Sequence, residues 1–251
     1  MPSRPAARLC AAFAAIVAVS VARPASAADS PLLTSRGRPN GWFWVTGGTV
    51  ALADEPLYRA FRRLDSPATH RAAVAANHLG DGRVQVGLFA LLTLAGNAND
   101  RAIARRGLHG AVAGGLLVAA LKETTRKARP YVGRGPVYGA RPLPAAGEQG
   151  PERSVLQWVL SEDEEDATKP DAVKSFPSGH TMAAFSLATV WAGRRPDDRE
   201  LAYGLAALVG LARIELKQHW PSDVFFGAAI GIAAGNAANR GGVPFGLMFR
   251  L

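Results

Sequence analysis

Three short polar clusters follow one another along the chain: Lys122…Arg129-Pro130, Pro177-Ser178-Gly179-His180, and Arg213…His219…Asp223. Each stands at the edge of an apolar segment rich in Ala, Leu and Gly. Together they supply cations, two imidazoles, a carboxylate and a glycine-containing turn. That set suits the binding of a phosphate and its displacement through a histidine.

Each cluster has its own chemistry. Lys122, Arg126 and Arg129 are spaced i, i+4, i+7, which on a predicted helix end puts them on one face. A basic helix C-terminus is also common for electrostatic reasons alone. In Pro177-Ser178-Gly179-His180-Thr181, Ser178 can cap a following helix and Gly179 lets backbone approach a ligand. The free N–H groups of such a helix start attract anions, and His180 there can protonate an ester oxygen. In the third cluster Asp223 follows His219 by four residues. It reaches the ring either along one helix face or across a new helix begun at Pro221. A carboxylate on one ring nitrogen fixes the tautomer and frees the other as nucleophile or base. Arg213 adds a fork-shaped phosphate ligand. His70, His78 and His109 lack such company and read as structural or surface residues.

The elements that must position these groups are helices. Six uncharged apolar stretches recur: Trp42–Ala53, Val86–Gly96, Leu108–Leu121, Thr181–Gly193, Leu201–Ala212 and Val224–Ala238. None alternates as a strand would, so each predicts a helix. Gly96-Asn-Ala-Asn-Asp100 closes the second, Arg129-Pro130 the third, and Gly193 to Asp198 separates the fourth from the fifth. The runs are about 11–15 residues long, short of the roughly 20 needed to span a bilayer. Flanking Lys and Arg can extend them by snorkelling, so a soluble bundle and a membrane-associated one both remain open. Residues 131–176 form a long loop insertion that is rich in Pro, Gly and charge. It is predicted to hold a short helix at Val155–Leu160 and a solvated acidic run, Glu162 to Asp166.

Composition sets the frame. The chain has 251 residues, 48% of them hydrophobic and 8% aromatic, as expected for one domain of close-packed helices. Residues 1–27 read as a secretory signal: Arg4 and Arg8, an apolar core Leu9–Val21, then Ala25-Ser26-Ala27 as a cleavage site. Residues 28–251 are then the functional domain, without the single Cys10 and so without a disulfide or thiol nucleophile. The formal charge of +9 falls to about +6 once the three arginines of that segment are removed. A basic balance suits anionic ligands or an anionic membrane surface. There is no basic–aromatic ladder or zinc-finger spacing, so nucleic acid is not the expected partner. No cluster has metal-ligand spacing, and no cofactor is expected.

The order Lys-x6-Arg-Pro, Pro-Ser-Gly-His, Arg-x5-His-x3-Asp resembles the type 2 phosphatidic acid phosphatase and vanadium haloperoxidase superfamily over roughly Leu79 to Asn236. Ala212 departs from it, standing where that family usually has serine. The flank His219-Trp-Pro-Ser-Asp-Val with Gly227-Ala-Ala-Ile-Gly is similar to the bacterial lipid-phosphatase branch. The resemblance implies an all-α bundle of about six core helices with its site at one end, and metal-independent hydrolysis of a phosphate monoester or diphosphate. It implies His219 as the nucleophile that becomes a phosphohistidine, Asp223 as its orienting carboxylate and His180 as proton donor. Lys122, Arg129, Arg213, Ser178 and the Gly179 backbone would hold phosphoryl oxygens.

The leading expectation is an exported phosphatase of the bacterial envelope, at the membrane or in the periplasm. Its substrate would be a lipid phosphate: phosphatidate, phosphatidylglycerol phosphate, undecaprenyl diphosphate or a lipid A phosphate. The alternatives are a soluble periplasmic acid phosphatase, a vanadium haloperoxidase, and a non-catalytic protein that binds anionic lipid.

Overall fold

The computed structural model describes residues 41–143 and 167–241. Residues 1–27, which read as a secretory signal and include Cys10, lie outside the described residues, as do Val155–Leu160 and the acidic run. Within them the protein is all helical, with no strand. Eight α-helices follow in order: α1 Gly41–Leu52, α2 Asp54–Arg62, α3 Pro67–Gly80, α4 Gly82–Leu94, α5 Ala98–Thr125, α6 Gly179–Arg194, α7 Arg199–Glu215 and α8 Pro221–Asn239. Short 3-10 turns stand at Pro130–Val132, Pro170–Val173 and Pro196–Asp198.

All six apolar stretches are helical, as α1, α4, α5, α6, α7 and α8. Helices α2 and α3 fall outside those uncharged runs and rest on other signals. Helix α2 is amphipathic, with Asp54 and Glu55 in its first turn and Arg59 and Arg62 in its last, where each sign of charge favours the helix dipole. Helix α3 is set by a reciprocal cap between Ser66 and Thr69 and by Pro67 at its first position.

Helix α5 differs at both ends from the predicted stretch. It starts ten residues early, at Ala98, where Asn97 and Asp100 cap each other's backbone. It stops at Thr125 rather than at Arg129, because Arg126 takes a left-handed conformation (φ 44°). Thr124 and Thr125 both turn their hydroxyls back onto carbonyls of the preceding turn, a bond that competes with helix continuation. The chain beyond is drawn into tertiary backbone bonds, Ala128 N to Val137 O (2.8 Å), Arg129 N to Ala172 O (2.9 Å) and Ser175 N to Lys127 O (3.0 Å). The supposed single face of Lys122, Arg126 and Arg129 therefore does not exist. Arg126 points its Nε at Ala140 O, while Arg129 reaches the site from an extended segment. The described parts of 131–176 are likewise tied down by these bonds rather than looping free.

Helix α6 is the axis of the bundle, in contact with α5, α7 and α8. Phe185 and Val209 are fully buried in a core shared with Phe43, Leu57, Ile214 and Phe225. Helix α8 lies against α6 at backbone distance. A Cβ on Gly231 would stand 2.3 Å from Met182 O, and one on Gly235 2.7 Å from Ser186 O. No helix among the described residues is long and apolar enough to cross a membrane. Even so, large apolar side chains line the outside, among them Leu108, Val112 and Leu116 on α5 and Leu201, Leu205 and Leu208 on α7.

Candidate active site

The three sequence clusters converge at one end of the bundle. Lys122 comes from the last turn of α5, Arg213 from the last turn of α7, and Ser178 to His180 from the start of α6. His219 sits just before α8. Of the two routes for Asp223, the second holds: Pro221 opens α8, and Asp223 in its first turn accepts from Trp220 N at 2.9 Å. His219 is therefore on the approach to the helix, and the carboxylate reaches back to it. Asp223 Oδ2 lies 3.6 Å from His219 Nδ1. Closing that gap to hydrogen-bond length takes a shift of only about 0.5 Å.

His219 is 1% exposed. Burial first, and then the nearby Arg213, Arg129 and Lys122, push its pKa well below the usual histidine value, against the pull of Asp223. The ring is thus neutral at physiological pH, the form that carries a free lone pair. Asp223 is fully buried, yet Lys127 and His219 outweigh the burial penalty and hold its carboxyl well below the usual range. It stays an anion beside the ring.

The cations around His219 are oriented by groups the sequence did not single out. Arg129 donates through Nε to Asp171 O at 2.9 Å, and its terminal nitrogens donate to the Asp171 carboxylate and to Gln218 Oε1. Arg213, 2% exposed, donates to Asn77 Oδ1 on α3 at 2.6 Å. Lys122 is half-buried and donates to Lys174 O at 2.6 Å. Burial, with Arg129 and Arg213 adding to it, lowers its pKa to about 7. Asn77, Asp171 and Gln218 carry no motif of their own. Only Gln218, next to His219, stood near a recognisable signal.

Ser178 caps α6 through bonds to Thr181, and its N–H donates to Asp223 O at 3.0 Å. That bond ties the start of α6 to the first turn of α8. A Cβ on Gly179 would meet only Val118, at an ordinary 3.8 Å, so no packing contact demands glycine there. His180 faces the α3–α4 junction. Its Cβ would be 3.1 Å from a Cβ on Gly80, and its charge acts on Asp81. Lys122, Arg129, Arg213, His219 and Asp223 thus form one electrostatic group, with His180 flanking it on the α3–α4 side. Among the described residues no group of three or more His, Cys, Asp or Glu converges as a metal site.

The PAP2 superfamily pattern matches residues 108–242, more than half of the chain and all three clusters. The chain belongs to the PAP2 superfamily. Several bacterial proteins are similar to this chain. It is 42% identical over 73 residues to a lipid A 1-phosphatase of Porphyromonas gingivalis, a match covering 27% of this chain and 16% of that relative. The crystal structure of Aquifex aeolicus LpxE superposes with a TM-score of 0.53 at 25% identity, over 74% of this chain and 94% of that one. A transmembrane PAP2-type phosphatidylglycerolphosphate phosphatase from Bacillus subtilis gives a TM-score of 0.48 at 17% identity, over 98% of each chain.

Proposed function

We propose that this PAP2 protein is a phosphatase that removes phosphate from a lipid through a phosphohistidine on His219. The observation that carries this reading is a buried, neutral imidazole backed by an ionised Asp223 and faced by Lys122, Arg129 and Arg213. A phosphoryl transition state spreads charge over its equatorial oxygens, so cations held in place before the substrate arrives are the main source of rate. In the first step His219 Nε2 bonds to phosphorus as the ester P–O bond breaks, and His180 gives its proton to the leaving oxygen. In the second, water attacks phosphorus, the N–P bond breaks, and His180 takes the water proton. In this reading Ser178 and the Gly179 backbone take the remaining phosphoryl oxygens. Asp223 stabilises the cationic ring of the intermediate.

The lipid part of the reading has separate support. An apolar groove of about 330 Å³ runs between the end of α3 and α4, α6 and α7 and is lined by Leu79, Val84, Ala184, Leu187, Leu205 and Val209. Leu79 precedes Gly80, the residue packed on His180, and Ala184 is one helical turn beyond His180. The groove thus begins on the side where the leaving group departs. The activity of the Porphyromonas relative makes lipid A 1-phosphate the first substrate to test. The exposed apolar rows on α5 and α7 favour a membrane-associated enzyme of the bacterial envelope.

The test is turnover with 32P-labelled lipid phosphate, quenched in alkaline detergent. Label should appear on wild-type protein, be stable to base and labile to acid, and be absent from His219→Ala. A wild-type enzyme that hydrolyses substrate without ever carrying label would overturn the phosphohistidine route. Equal kcat/KM for long-chain and short-chain phosphate esters would overturn the lipid assignment.

A further inference from the structure

Behind Asp223 lies a lysine that the steps above do not use. Lys127 is 0% exposed, and its Nζ donates to Asp223 Oδ1 (2.8 Å), Asp54 Oδ2 (2.6 Å) and Ser222 Oγ (2.8 Å). The rings of Tyr138, Phe176 and Trp220 surround the ammonium at 5.4, 5.8 and 6.0 Å. Asp54, the first residue of α2, is 1% exposed and also accepts from Ser222 N at 2.8 Å and Ser222 Oγ at 2.7 Å. It thus caps the first turn of α8 from another helix. Asp54 stands well outside the matched family segment.

We propose that Lys127 and Asp54 are positioning residues for the nucleophile: they fix the carboxylate of Asp223 so that one oxygen is spent on the ammonium and the other faces His219. Asp223 Oδ2 is shared by Ser175 Oγ, Trp220 N and His219 Nδ1, all on one side of the carboxylate. Lys127 holds the other oxygen, Oδ1, from the opposite side. Without Lys127, Asp223 and Asp54 would face each other in a site closed to water, and two such carboxylates cannot both stay ionised. The two would hold one proton between them, and the negative charge that steadies the cationic ring would no longer rest on Asp223 alone.

The electrostatics agree. Burial works against the Lys127 ammonium, but Asp223 and Asp54 outweigh it and raise its pKa. Burial raises that of Asp54. The other charged or titratable groups around this pair are Tyr138, His219, Arg129, Arg213 and Lys122. Lys122 and the two arginines act from the phosphate side of the ring.

This inference rests on His219 as nucleophile, and its test separates the two. In Lys127→Met, kcat should fall at least about tenfold with KM little changed, as when an orienting carboxylate is disabled, and the acid limb of kcat should move to higher pH. Lys127→Arg should regain most of the rate. Asp54→Asn in the Lys127→Met background should recover part of the loss, because the competing carboxylate is gone. The 15N signals of the His219 ring report its tautomer without any turnover. They should show Nδ1–H fixed in the wild type and a tautomer mixture in Lys127→Met. A Lys127→Met enzyme that melts lower but keeps the wild-type kcat, pH profile and tautomer would reduce the pair to a brace between α2 and α8. If Lys127→Met does not fold, Asp54→Asn alone carries the test, and an unchanged kcat and tautomer there would overturn the proposal. Failure of the wild type to form a phosphohistidine, with the tautomer still dependent on Lys127, would count against the nucleophile alone.

Discussion

Arg213 and Lys122 are both cations near His219, but they do different work. Arg213 is buried and directed by Asn77 on a neighbouring helix, so its fork has a set plane. Lysine at 213 keeps the charge and loses the two-pronged geometry. Arg213→Lys should lose about tenfold or more in kcat/KM and in vanadate affinity, because a charge-assisted hydrogen bond contributes roughly 1.5–3 kcal/mol. A variant with wild-type kinetics and vanadate inhibition would remove Arg213 from the phosphate site. Lys122, with its pKa lowered to about 7, is a cation below that pH and neutral above it. Loss of its charge weakens phosphate binding, so kcat/KM should decline as pH rises past about 7, the profile that reports the free enzyme. Lys122→Arg should move that alkaline limb upward even where the absolute rate drops. For stability the sign is opposite. The unfolded chain holds the Lys122 proton up to its ordinary value of 10.5 and the folded chain releases it at about 7. Between those values the unfolded state binds more protons, so this group's contribution favours folding more as pH rises. His180→Ala should cost far less on nitrophenyl phosphate than on an alkyl phosphate, because nitrophenolate departs without a proton. Equal losses on both would remove His180 as the donor.

At the level of elements, the site depends on how closely α8 approaches α6. The bond from Ser178 N to Asp223 O joins their N-termini, and Gly231 and Gly235 keep them together along their length. A methyl at Gly231 would sit 2.3 Å from the Met182 carbonyl, and backbone cannot yield as a side chain can. Gly231→Ala should destabilise the protein by about 1–3 kcal/mol, read as a lower melting temperature. A surviving folded fraction should also turn over more slowly, since any shift of α8 carries Asp223 with it. Gly204, where an added methyl would have nothing within 4 Å, is the matched control and should tolerate alanine. If the two variants melt alike, the close approach is not what holds the pair together.

For the molecule as a whole, the outer surface and the groove belong to one question. Apolar side chains repeat at one-turn intervals on the outside of α5 (Leu108, Val112, Leu116), where a helix facing only water would carry polar residues. Expressed protein should sediment with membranes, resist release by high salt and be extracted by detergent. Release by salt alone would mean that charge, not the apolar flank, holds it there. Narrowing the groove with Ala184→Phe should lower kcat/KM for a long-chain lipid phosphate and leave nitrophenyl phosphate hydrolysis near wild type. A matching loss on both would show that the substitution disturbs the site rather than the tail.

Much of this protein is legible in one dimension because its chemistry lies at helix ends. The spacing Lys122 to Arg129, the turn Pro177 to His180 and the run Arg213 to Asp223 are local patterns, and uncharged apolar runs mark six helices without any knowledge of their partners. What lay hidden depended on residues distant in sequence. Charge on α2 and α3 masked their helical period. The end of α5 is decided by backbone bonds to Val137, Ala172 and Ser175, which no local signal carries. Had α5 run on to Arg129, Lys127 would have stood off the Lys122 face and read as a solvated surface lysine. The left-handed turn at Arg126 and the closure of α2 over α8 instead bury it between two carboxylates. Sequence spacing names the groups that can touch phosphate; only the packing of α2, α3 and α8 decides which charges stand behind them, because a buried charge is stable only where the fold brings its partners.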